Sequence, residues 1–112
     1  MRVGSRLPVA VAHGEGRAQF ESASDLTVLQ QARQIAMRFV DARGSVAERY
    51  PQNPNGSPGG ITALCNDDGR MTILMPHPER TIRGVTGSWW PQQWGEFTPW
   101  IQIFRNARRW VG

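Results

Sequence analysis

His77 and Glu79 stand two residues apart in the segment Met75-Pro76-His77-Pro78-Glu79. An imidazole takes and returns a proton near neutral pH. A carboxylate beside it accepts its N–H, fixes its tautomer and stabilises the imidazolium. The two together are the base and the orienting partner of a nucleophilic triad. The ring of Pro78 disfavours the helical region for His77 and holds it extended. Side chains at i and i+2 of an extended chain project to the same side, so the pair is expected within about 3 Å. Taken alone, the same residues more often describe a strand-end histidine that hydrogen-bonds a neighbouring carboxylate. A His-x-Glu spacing alone does not separate the two.

The remaining chemistry-bearing side chains are few. Cys65 is the only cysteine, so it forms no internal disulfide, and no metal-ligand spacing surrounds it or the two histidines. His13 lies in His13-Gly14-Glu15-Gly16, where two glycines permit a tight backbone path; an imidazole so placed is more often structural than a base. Cys65 is not expected to serve His77. If Asp68-Gly69 closes a hairpin, Cys65 and Met71 sit at its turn end, and His77 lies roughly 20 Å away along the sheet at about 3.3 Å per residue.

The elements that must position these groups can be read from periodicity and punctuation. Leu7–Ala12 is a short apolar run that suits a buried strand. Ser24 is placed to cap a helix over about Asp25–Ala32. Ile35–Val40 reads as a strand, as do Ile61–Cys65 and Met71–Met75, the last two joined through the Asp-Gly turn. Pro51–Gly60 holds three prolines and three glycines in ten residues, which excludes a helix or central strand and favours a shaped loop. Trp89, Trp90 and Trp94 are expected to be packing anchors. Thr98 can cap a final helix with Pro99 at its first position. Trp100, Ile103, Phe104, Ala107 and Val111 then share one face that should pack on a core, with Arg105, Arg108 and Arg109 mainly opposite.

Composition bounds the function. The chain of 112 residues, 39% apolar and of mixed charge, belongs with folded globular proteins. It has no apolar run long enough for a membrane span and no signal-peptide pattern at its start, so a cytoplasmic location is expected. The net charge of +4 invites a nucleic-acid reading. All thirteen basic residues are arginines, however, and they are scattered rather than gathered in a run, which argues against nucleic acid.

Longer stretches narrow the reading. The segments LPVAVAHGEGRAQF, RFVDARGSVAERYPQNPNGSPGGITAL, MPHPER, WGE and FRNARRWVG span the chain from about Leu7 to Gly112. In these segments the chain resembles the C-terminal end of the large-type phosphoribosylformylglycinamidine synthases, or formylglycinamide ribonucleotide amidotransferases. These are class I (Cys-His-Glu) glutamine amidotransferases. The resemblance implies a doubly wound, flavodoxin-like α/β sheet, of which residues 1–112 would be the C-terminal half. It implies that the glutaminase domain frees ammonia from glutamine. A synthetase domain using ATP and magnesium would place that ammonia on formylglycinamide ribonucleotide in purine biosynthesis, and no cofactor or metal would fall to this chain. His77 and Glu79 correspond to the family's catalytic histidine and glutamate. His13, Gly14 and Glu15 correspond to its loop near bound glutamine. The family's nucleophile, a cysteine in a Gly-x-Cys-Asn-Gly-type turn, has no counterpart here, and its role cannot be moved to Cys65.

The sequence therefore predicts an α/β fragment with a mixed sheet, a β-hairpin and a C-terminal helix, inactive alone. Its expected partners are glutamine, the rest of the same enzyme with its nucleophile and synthetase parts, and further copies pairing through an exposed sheet edge. Two rivals stand beside it. One is a binding or assembly module that keeps the fold without the chemistry. The other is a basic nucleic-acid binder, which would show steep salt dependence.

Overall fold

The Asp68-Gly69 turn closes as its sequence requires. Gly69 takes the left-handed conformation (φ 71°), and the Asn66 side chain accepts the Met71 amide at 2.9 Å. The computed structural model in which this is seen describes residues 2–11, 16–87 and 89–112. The chain divides into two units, residues 13–75 and residues 1–12 with 76–112.

The first unit carries helix α1 (Ala23–Gln31) and strands β1 (Ile35–Arg38), β2 (Ile61–Cys65) and β3 (Thr72–Leu74), in sheet order β1-β2-β3. The cap of α1 is Ser22, not Ser24, and the Asp25 carboxylate reaches back to the Ser22 amide at 3.2 Å. Register follows the hairpin, with Cys65 opposite Thr72 and Ala63 opposite Leu74. Both pairings are antiparallel, so the sheet is not mixed: a tight turn joins β2 to β3, and β1 pairs back on β2 with irregular register. Phe39, Ala47, Ile61 and Ala63 are buried at the centre of this unit.

The Pro- and Gly-rich segment 51–60 is a shaped loop built around one side chain. Asn53 is 1% exposed. Its Nδ2 donates to the carbonyls of Ala47 (3.1 Å) and Ser57 (2.9 Å), and its Oδ1 accepts the amides of Gly56 (3.0 Å) and Ser57 (3.2 Å). The loop ends where Gly60, at φ 65°, passes so close to the backbone of Phe39 and Ala47 that an added Cβ would lie 2.9 Å from the Ala47 carbonyl oxygen.

In the second unit, residues 7–11 form no strand. Leu7, Val9 and Val11 are half-buried and alternate with exposed Pro8 and Ala10, but among the described residues no strand pairs with them. An extended apolar run becomes a strand only with a ladder partner. Helix α2 spans Ile101–Val111. The N-cap position of α2 is Trp100, two residues beyond the expected Thr98, and it carries no side-chain cap; Thr98 Oγ1 instead accepts the Trp100 amide at 3.3 Å, and buried Trp100 donates Nε1–H to the Pro8 carbonyl at 2.8 Å. The expected core face is covered only at its start. Trp100 is buried and Ile103 half-buried, but Phe104, Ala107 and Val111 are exposed. Trp89 is also exposed, whereas Trp90 lies over Gly84. No described helix is long and apolar enough to cross a membrane.

Candidate active site

Immediately after the sheet unit, the chain enters a short 3-10 turn at Pro78–Arg80. His77 is extended (φ −101°, ψ 91°), as the following proline demands. The backbone does not stay extended through Glu79, so the same-side rule of a strand is not what brings the pair together. Proline fits the first position of a helical turn as well as it restricts the residue before it. The turn, closed by the Arg80 amide on the His77 carbonyl at 3.0 Å, folds Glu79 back toward the imidazole.

The pair meets. His77 Nδ1 and Glu79 Oε1 are 2.8 Å apart, with the two side chains 41% and 55% exposed. Hydrogen bonding from its own backbone amide holds the Glu79 carboxyl below the ordinary glutamate range, helped by the bond to His77 and by the charges of His77 and Arg80, while partial desolvation opposes them. A carboxylate ionised at neutral pH only accepts, so the shared proton resides on Nδ1. Nε2 then carries the lone pair. It has no hydrogen-bond partner among the described residues, and it is the atom free to take a proton.

A family model of the CobB/CobQ-like glutamine amidotransferase domain matches residues 1–111. The chain belongs to that family. Glutamine-hydrolysing chemistry is thus the setting in which the pair is to be understood, and this amidotransferase chain carries a hydrogen-bonded histidine–carboxylate pair within it.

The other residues singled out from sequence fare differently. His13, Gly14 and Glu15 lie outside the described residues. The backbone just after them is held by the 51–60 loop: Ala18 donates its amide to Ser57 Oγ at 3.1 Å, and Asn55 Nδ2 bonds the Gly16 carbonyl. Cys65 sits at the turn end of β2, opposite Thr72, and its amide bonds the Gln34 carbonyl at 2.8 Å. It is a strand residue next to a hairpin turn, not a residue on a strand-to-helix elbow.

Sequence reading overlooked the residues that support these groups. Asn53 organises the loop, yet in PQNPNGSPGG it reads as one polar residue among several. The available signal was an asparagine placed to bond its own backbone a few residues on. Thr81 and Thr98 were also passed over as partners of the His77–Glu79 turn. Thr98 Oγ1 donates to the Thr81 carbonyl at 2.6 Å, a contact between positions seventeen apart that no local pattern encodes.

Proposed function

We propose that this amidotransferase chain supplies the proton-transfer half of a glutaminase site, with His77 as general base and acid and Glu79 as its orienting carboxylate. The observation that carries the reading is the 2.8 Å Nδ1–Oε1 bond to a carboxyl held ionised, which leaves Nε2 as the proton acceptor. In the reaction, a thiol gives its proton to His77 Nε2 and its sulfur attacks the side-chain amide carbon of glutamine. The imidazolium returns that proton to the departing nitrogen, which leaves as ammonia, and a thioester remains. His77 then takes a proton from water. The hydroxide cleaves the thioester to glutamate, and the thiol is restored.

The thiol is assigned to a segment other than Cys65. At the turn end of β2, opposite Thr72, Cys65 lacks the sharp strand-to-helix turn that exposes such a nucleophile. The chain is accordingly the C-terminal half of a glutaminase domain and is inactive alone, with the nucleophile-bearing part and a synthetase part of the same enzyme as partners. The reaction served is the conversion of formylglycinamide ribonucleotide to its amidine in purine biosynthesis. ATP and magnesium belong to the synthetase part, and no residue of this chain is assigned to them. His13, Gly14 and Glu15 line the glutamine, and the enzyme is cytoplasmic. Strand β3 supports the need for a partner: it is a sheet edge among the described residues and leaves Ile73 and neighbouring Met71 exposed. Through this edge the isolated chain pairs with further copies.

The test is ammonia bypass. In the assembled enzyme, His77→Ala should abolish glutamine-dependent amidine formation, leave the ammonia-dependent reaction within about twofold, and weaken glutamine hydrolysis by at least the roughly 100-fold typical of a lost general base. Cys65→Ser should leave both reactions intact. Retained glutamine-dependent turnover in His77→Ala, or ammonia release by the 112-residue chain alone, would overturn the assignment.

A further inference from the structure

We propose that Thr98 is a positioning residue for the His77–Glu79 pair, tying the turn that carries it to the start of α2. The inference rests on the proton-transfer reading of His77 and adds to it the element that holds the geometry. Both side chains of the pair are substantially exposed, so packing does not fix their 2.8 Å contact. The backbone of the 78–80 turn must do so. That turn is closed on itself by the Thr81 amide and the Thr81 hydroxyl, both donating to the Pro78 carbonyl at 3.0 and 3.1 Å. The turn is then anchored from outside through Thr81 and its neighbour Ile82. Thr98 Oγ1 donates to the Thr81 carbonyl at 2.6 Å, and the Thr98 amide donates to the Ile82 carbonyl at 2.8 Å.

A hydroxyl donates once and accepts more than once. Thr98 uses both capacities, since the oxygen that donates to Thr81 also accepts the Trp100 amide at 3.3 Å. The residue is 6% exposed, so water cannot readily replace either bond. The His77–Glu79 turn and Trp100, the N-cap residue of α2, are thereby held by one oxygen atom. Support of the helix start alone would need only the acceptor; the donor bond to Thr81 is the part that reaches the pair.

Three variants separate the two capacities. Thr98→Ser keeps both. Thr98→Asp keeps an acceptor for the Trp100 amide and loses the donor. Thr98→Val loses both at nearly the same shape. The readout is the tautomer ratio of the neutral His77 imidazole, followed by long-range nitrogen–proton NMR on the 112-residue chain, which has only two histidines. Wild type and Thr98→Ser should favour the Nδ1–H form. Thr98→Asp and Thr98→Val should shift the ratio toward Nε2–H by about fivefold, the equivalent of one hydrogen bond. Circular dichroism and the α2 amide shifts check that the helix persists. A wild-type ratio in Thr98→Asp with α2 intact would overturn the proposal, because the donor bond would then be dispensable. Should the variants not fold, the wild-type chain still decides: a Thr98 hydroxyl proton protected from exchange supports the bond, and a freely exchanging one refutes it. These outcomes concern the geometry of the pair. The ammonia-bypass experiment concerns its chemistry, so either can fail without the other.

Discussion

Removing the Asn53 side chain should cost this chain a large part of its stability. Asn53 is 1% exposed and makes four hydrogen bonds to backbone groups: the carbonyls of Ala47 and Ser57 and the amides of Gly56 and Ser57. At about 1 kcal/mol net per bond, Asn53→Ala forfeits roughly 4 kcal/mol if all four partners stay unsatisfied. Water entering the space would return up to about half, so about 2–4 kcal/mol is expected. For a chain of this size 1 kcal/mol corresponds to about 4 °C, so the thermal midpoint should fall by roughly 8–16 °C, measured by circular dichroism. Asn53→Asp keeps the two acceptor contacts but turns a carboxylate oxygen toward two carbonyls, and it should not rescue. The loop also holds the backbone of residues 16 and 18 through Asn55 and Ser57. Amide exchange at Ala18 should therefore accelerate along with the loss of stability. An Asn53→Ala chain melting within about 2 °C of wild type would refute this reasoning, since buried backbone groups would then lose four partners at no cost.

The Glu79 carboxyl should titrate below the ordinary glutamate value of about 4.3. A carboxyl whose folded-state value is depressed adds stability that is fully present above its unfolded value and is lost as pH falls through the folded one. Carbon-13 NMR of the Glu79 carboxyl should thus show the His77 contact persisting through pH 5 and dissolving in the acid range below the ordinary value; a midpoint at or above it would contradict the bonding described. Gly84→Ala would place a Cβ 2.6 Å from Trp90 Nε1. It should destabilise by about 1–3 kcal/mol through overpacking, and Trp90→Leu should recover part of the loss in the double variant. Strictly additive effects would mean that the two residues do not share the contact.

Much of the fold was legible because it is local. The Asp-Gly turn, with one residue at positive φ, sets the register of β2 against β3, and that register puts Cys65 opposite Thr72 at the turn end. Thr98 and Pro99 placed the start of α2 to within two residues, its N-cap being Trp100. The run at residues 7–11 misled because apolar alternation records a wish for burial, not the presence of a ladder partner. The apolar stripe of α2 likewise states that the helix can be covered, and Phe104, Ala107 and Val111 are not.

The candidate site divides along the same line. Sequence alone determined that His77 is held extended by Pro78 and that a glutamate follows within reach, because proline acts on its immediate neighbour through sterics. It did not determine how Glu79 returns to the imidazole, since Pro78 both restrains the residue before it and begins the 3-10 turn that follows. Nor could it reveal that the turn is held by Thr98, or that Asn53 shapes the long loop from within. Those contacts depend on which oxygen lies beside which amide after the chain has folded. Steric rules between neighbouring residues are written in the sequence. Hydrogen bonds between distant backbone groups exist only once tertiary structure has brought the groups together and removed the water that would otherwise satisfy them.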